Sequence, residues 1–104
     1  MVENKTYRIS ASFSAESLDI DKDYQELMGI FHDYPIMQSR EGGELIPMQG
    51  EDYCFREKPK HSILRISKMG DTVLVDIRQT NTLDDVLEVI ERIKKSNAFS
   101  QEKS

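Results

Sequence analysis

The stretch from Ile63 to Gln79 constrains this chain more than any other. Two strand-like runs, Ile63 to Met69 and Thr72 to Gln79, flank the pair Gly70-Asp71. Glycine followed by a small polar residue between two such runs is a two-residue hairpin signal. With those two residues as the loop, the pairing is set. Ile66 faces Val75 and Leu64 faces Ile77, with Val73 beside them, while Arg65 faces Asp76 on the other side. A slip of one residue would turn every one of these side chains to the opposite face, so the register is strongly specified.

The flanking segments supply partners for this hairpin. In residues 6–14, Tyr7, Ile9, Ala11 and Phe13 alternate with Arg8, Ser10, Ser12 and Ser14, the period of a strand with one wet face. Ile20, Tyr24, Leu27, Phe31 and Tyr34 then recur at steps of three and four, with Met28 widening the stripe. This spacing predicts a helix from about 21 to 34, stopped by Pro35, with Asp19, Asp21 and Asp23 at its positive end. Gly29 weakens that helix and leaves room for a close backbone contact. Thr82, with Asp85 three residues on, opens a second helix. Its expected buried stripe is Leu83, Val86, Leu87, Ile90 and Ile93. Glu88 with Arg92 and Glu91 with Lys95 are the expected ion pairs along it, and Lys94 and Lys95 close it.

The segment 35–60 is irregular. It holds all three prolines and three of the five glycines. Short strands are expected within it near Glu44–Met48 and Asp52–Arg56, and Arg40-Glu41-Gly42-Gly43-Glu44 reads as a mobile turn. The chain is thus expected to be one α+β domain over 1–104. A single antiparallel β-sheet of three to five strands carries two helices packed on one face, in the order β-α-(β)-β-β-β-α. Residues 1–5 and 97–104 are expected to fray.

Charge narrows the function classes. The net charge of -5 argues against a protein that coats nucleic acid through its overall field. Residues 1–54 hold eleven acids and four bases, and residues 55–104 hold eight acids and ten bases. That split predicts an electrostatic dipole if the two halves stay apart in space. The single cysteine, Cys54, excludes an intramolecular disulfide and any metal site built on several thiolates. The polar N-terminus lacks the apolar core of a signal peptide, and no run approaches the roughly 20 apolar residues of a membrane span. A cytoplasmic location is the expectation.

Catalytic constellations are not evident. His32 and His61 are the only histidines and have no helical metal-ligand spacing, so neither metal nor cofactor is expected. Cys54 lies between Tyr53 and Phe55 and reads as a small buried hydrophobe, although Arg56 and Lys58 would favour a thiolate. The serines lack a nucleophile-elbow context. The expectation is a binding protein and not an enzyme, with a small enzyme that depends on Cys54 as the third reading.

Two binding surfaces compete. One is acidic: Asp19, Asp21, Asp23, Glu26 and Asp33 along the first helix, with Glu41, Glu44, Glu51 and Asp52 from the irregular segment. Tyr34, Ile36 and Met37 are its apolar anchors. Such a surface suits a basic protein, for example a toxin or a nucleic-acid enzyme. Ser17-Leu18-Asp19-Ile20-Asp21 through Glu26-Leu27-Met28-Gly29-Ile30 resembles the opening of bacterial domains suspected of serving as immunity proteins beside toxins. That resemblance spans residues 17–30 alone, and the family's later aromatic landmarks are missing. It implies an immunity- or inhibitor-like module that occludes a partner protein. The alternative surface is basic: Tyr53, Phe55, Arg56, Lys58, Lys60 and His61, a mixture of cations and aromatics suited to single-stranded nucleic acid. The second sheet face, bearing Ile63, Met69 and Leu74, is a candidate homodimer surface.

Overall fold

The C-terminal hairpin adopts the register that its side chains require. In the computed structural model, which describes residues 8–59 and 62–100, β5 (Ser62–Met69) and β6 (Thr72–Thr80) pair Leu64 with Ile77, Arg65 with Asp76 and Ile66 with Val75. Gly70 takes the positive φ of 63° that the tight loop needs. Strand β1 (Ile9–Glu16) lies antiparallel along the far side of β6, and β4 (Tyr53–Lys58) along the far side of β5. The result is a four-stranded antiparallel sheet in the order β1-β6-β5-β4. Arg78 is an extra residue on β6 relative to both neighbours: Ile77 and Gln79 face Leu64 and Ile63 on one side, while Ile77 and Thr80 face Ala11 and Ile9 on the other.

Helices α1 (Ile20–Ile30) and α2 (Leu83–Ile93) pack on one face of this sheet. The core joins Tyr24, Leu27, Phe31 and Tyr34 to Leu64, Ile66, Val73, Val75 and Ile77, with Val86, Val89, Ile93 and Ala98 closing it. The expected α+β class and the two helices on one face therefore hold. Asp19 caps α1 by accepting the Lys22 amide, and Thr82 caps α2 by accepting the Asp85 amide.

Several local expectations change. Helix α1 ends at Ile30, short of Tyr34, yet the turn that follows still buries Phe31 and Tyr34. Gly29 faces open space, so no close backbone contact explains it. The buried stripe of α2 is rotated: Val86, Val89 and Ile93 face inward, Ile90 is half-buried, and Leu83 and Leu87 are exposed. Glu91 pairs with Lys94 at 3.3 Å. Past α2 the chain stays docked. Ala98 is buried and the Asn97 amide donates to Glu26 at 2.8 Å, so residues 97–100 do not have the frayed character expected of them.

The irregular segment is built differently from the expectation. Strands β2 (Gln38–Glu41) and β3 (Glu44–Pro47) form a separate two-stranded sheet around Gly42 and Gly43. Both glycines have positive φ, 58° and 85°, the requirement of a two-residue primed turn. The base of this arm clasps the β4 edge: the Met37 amide donates to the Phe55 carbonyl at 2.8 Å, and the Phe55 amide to the Met48 carbonyl at 3.0 Å. Those bonds satisfy edge groups that would otherwise be open to aggregation. The two charge halves interleave as well. Strand β1 lies on β6, and Asp21–Lys68 and Asp33–Arg92 bridge the halves, so the expected dipole does not form.

Candidate functional site

The acids expected along α1 are occupied in holding the fold. Asp23 is buried and accepts the Ser17 hydroxyl. Asp19 is the helix cap, Asp21 pairs with Lys68, and Glu26 accepts the Asn97 amide. Asp33 takes both terminal nitrogens of Arg92, at 2.6 and 2.9 Å. Tyr34 is buried and its hydroxyl donates to Glu88 at 2.6 Å, so it is not an anchor for a partner. Ile36 and Met37 are half-buried where the arm joins β4.

Arg92 organises this corner. Beyond Asp33, its guanidinium donates to the Ile30 carbonyl at 3.0 Å, reaches Glu88 at 3.4 Å and lies 4.8 Å from the Tyr34 ring centroid. The hydrogen bonds from Arg92 hold the Asp33 carboxyl down from an ordinary 3.8 to about 2. A carboxylate depressed in the folded state contributes stability above its unfolded pKa and loses it as pH falls toward the folded one. The wild type should therefore lose stability between about pH 4 and pH 2. The Asp33 share should stay below about 1 kcal/mol, because the side chain is half-exposed and screened. Urea midpoints at pH 5 and pH 2.5 check this: Asp33→Asn should show a smaller drop than the wild type, and equal drops would contradict it.

The described residues of the basic segment do not share one face of the sheet. Strand alternation separates its parts. Tyr53 and Phe55 project on the outer face, in an edge-to-face contact 5.9 Å apart, while Arg56 and Lys58 project on the helix side. Arg56 is buried and donates to the Tyr34 carbonyl at 2.7 Å. Lys58 bridges Asp85 and Glu88, each at 3.0 Å. Arg65 is tied to Asp76, and Lys68 to Asp21. Lys60 and His61 lie outside the described residues. Cys54 is fully buried, and burial pushes its thiol pKa up, the opposite of what a reactive thiolate needs.

What the fold does assemble is a groove between the arm and the outer sheet face, with a volume of about 1090 Å3. Ser39, Glu41 and Ile46 line it from the arm, Met48 and Asp52 from the connection to β4, and Tyr53, Phe55, Ser67, Met69 and Leu74 from the sheet. Ile46, Tyr53 and Met69 are large apolar side chains left exposed there. Cross-strand pairing puts Ser39 beside Ile46 and Glu41 beside Glu44 on the groove side of the arm, and turns Arg40 and Leu45 outward. The two cations on the wall, Arg65 and Lys68, are neutralised. Glu41, Glu44, Glu51 and Asp52 are exposed, and among the described residues none of their carboxylates has an ion-pair partner. Of the second acid group of the sequence, Glu41 and Asp52 thus line a partly apolar groove, with Glu44 paired to Glu41 across the arm and Glu51 next to Asp52 in sequence, while the first group is spent on structure. Met69 and Leu74 fall inside that groove, and Arg65, Ser67 and Asp76 interrupt the apolar row they were expected to form with Ile63.

Glu41 and Glu44 were legible as acids, but Ile46, Met48, Tyr53, Phe55 and Met69 were not legible as one surface. The Gly42-Gly43 pair was the available signal, because two glycines between short runs are a hairpin loop. Among the described residues no group of three or more His, Cys, Asp or Glu is placed to hold a metal ion. Among them, too, no helix is long and apolar enough to cross a membrane. Comparison of the chain with protein-family models, with curated proteins and with solved structures finds no match.

Proposed function

We propose that this chain is a protein-binding module of the immunity or inhibitor kind, which occludes a partner by seating a basic, apolar-anchored segment in the groove beneath the β2–β3 arm. The observation that carries the reading is the coincidence of acids that have no ion-pair partner among the described residues with exposed apolar groups. Glu41 and Asp52 line a surface that includes Ile46, Tyr53 and Met69, and the exposed Glu44 and Glu51 adjoin them, Glu44 across the arm and Glu51 along the chain. Unpaired acids around an apolar centre are the arrangement of an interface whose rim steers and whose middle holds. Burial of aromatic and Met side chains would supply the affinity. The arm adds reach, since all four residues of β3 are exposed.

Site-specific photo-cross-linking tests this in the native host. A photoreactive residue at Ile46 or Tyr53 should give one discrete protein adduct, and one at Asp84, on the solvent side of α2, should not. The adducted protein, once purified, should bind the chain more weakly as salt rises. Glu41→Lys with Glu44→Lys should weaken that binding at least tenfold, as expected when several steering charges are reversed. No adduct from the groove positions, or the same adduct from Asp84, would sink the proposal.

A further inference from the structure

The sheet has two edges, and they are treated differently. The β4 edge is clasped by the arm, whereas among the described residues no strand pairs along the outer edge of β1. Edge strands are commonly protected by a central lysine, a proline or a bulge in the strand itself. Strand β1 has none of these: from Ile9 to Ala15 it reads Ile-Ser-Ala-Ser-Phe-Ser-Ala, and the extra residue nearby belongs to β6. The inward side chains of β1, Ile9, Ala11, Phe13 and Ala15, are only half-buried.

Helix α2 leaves apolar surface on the same side. Its Val86, Val89 and Ile93 face the sheet, and its Glu88 and Arg92 reach residues at the end of α1. A helix advancing about 100° per residue then turns Leu83 and Leu87 away from α1. Helix α1 covers β5 and β6 while α2 covers β6, so the side away from α1 is the side of β1. Leu83 and Leu87 are 63% and 52% exposed there.

We infer that a second copy of this chain covers this edge, pairing β1 antiparallel with its own equivalent across a two-fold axis at Ser12. The strand is self-complementary in that register. Arg8 falls opposite Glu16 of the other copy, Ile9 opposite Ala15, Ser10 opposite Ser14, Ala11 opposite Phe13, and Ser12 opposite itself. Opposite charges meet at both ends, small side chains meet large ones, and serines meet serines on the outer face. A two-fold interface requires this kind of self-match. Sliding one strand by a single residue would set outward serines against inward apolar groups, which the pleat forbids, and moving the axis to Ala11 or Phe13 would part Arg8 from Glu16. The pairing would extend the four-stranded sheet to eight strands and bring the exposed leucines of the two α2 helices toward the axis. The β4 edges, with their arms, would lie at the two ends, so this inference stands independently of the groove.

Mass measurement and cross-linking test it together. Sedimentation equilibrium of the full chain at tens of micromolar should give twice the 12.0 kDa chain mass. Arg8→Glu or Glu16→Arg alone should weaken the dimer about tenfold, and the two together should restore it. Ser12→Cys should form an intermolecular disulfide under mild oxidation, because directly opposed residues stand about 4.5–5.5 Å apart at Cα. Ser10→Cys alone should not cross-link, but should do so when mixed with Ser14→Cys. A monomer at every concentration would overturn the inference. A dimer indifferent to the charge swap, or cross-linking as well through position 10 alone as through position 12, would also overturn it.

Discussion

Phe31→Ala should destabilise the protein by about 4 kcal/mol, near the upper range for deleting a buried aromatic. Phe31 is fully buried although it stands just outside helix α1. Its ring meets Tyr34 edge to face at 5.4 Å, and the Arg92 guanidinium lies 5.7 Å from its centroid. It therefore sits where α1, the turn to the arm and α2 converge, and few side chains there can shift to fill the hole. The amide of Phe31 also ends the helix by donating to the Leu27 carbonyl at 3.2 Å, and that bond survives the substitution. The loss is thus one of packing. Phe31→Leu, which keeps most of the volume, should cost roughly 1 to 1.5 kcal/mol. Urea denaturation with an unchanged slope measures both. Equal losses for the two variants would mean that the aromatic contacts, not the volume, dominate. A domain of this size has only about 5–15 kcal/mol in total, so the alanine variant should sit close to unfolding at 37 °C.

Arg56→Ala should cost about 3 kcal/mol, whereas Arg56→Met should stay within about 1 kcal/mol of the wild type. Arg56 is 8% exposed, and among the described residues it has no carboxylate partner. One terminal nitrogen donates to the Tyr34 carbonyl, while its Nε has no hydrogen-bond partner. Its charge is therefore poorly compensated, and its stem does much of the packing beside Cys54. Alanine removes the stem and orphans the carbonyl. Methionine orphans the same carbonyl but keeps the volume and removes the desolvated charge. Chemical denaturation of the two variants discriminates the contributions. If methionine costs as much as alanine, the hydrogen bond outweighs the packing and this account of Arg56 fails.

Arg56 also shows how far the linear order could be followed. A run of cations and aromatics from 53 to 68 looks like one basic surface only while the strand is unfolded. Once the pleat is imposed, Tyr53 and Phe55 leave by one face and Arg56 and Lys58 by the other. That separation follows from period two alone, and it was available before the structure. What periodicity could not supply was the partner of each charge. Lys58 meets Asp85 and Glu88 across 27 and 30 residues of chain, and Arg92 meets Asp33 across 59. Long-range pairs of this kind depend on how the helices settle on the sheet. The same limit explains the α2 stripe. Leu83, Leu87 and Ile90 match a helical period as well as Val86, Val89 and Ile93 do, and only the position of α1 decides which set is covered.

The hairpin from Ile63 to Gln79 needed no tertiary information. Its loop demands glycine at one position, its buried apolar residues Leu64, Ile66, Val73, Val75 and Ile77 fall on one face, and Arg65 meets Asp76 only in one register. The sheet's second edge and the arm needed that information. Strands β2 and β3 carry little apolar periodicity, so their pairing rests on the Gly42-Gly43 turn and on the backbone bonds that the β4 edge offers. Local pattern determines a structure when each side chain has its own reason to face one way. Tertiary structure decides the rest, because an edge, a groove or an ion pair exists only once distant segments have met.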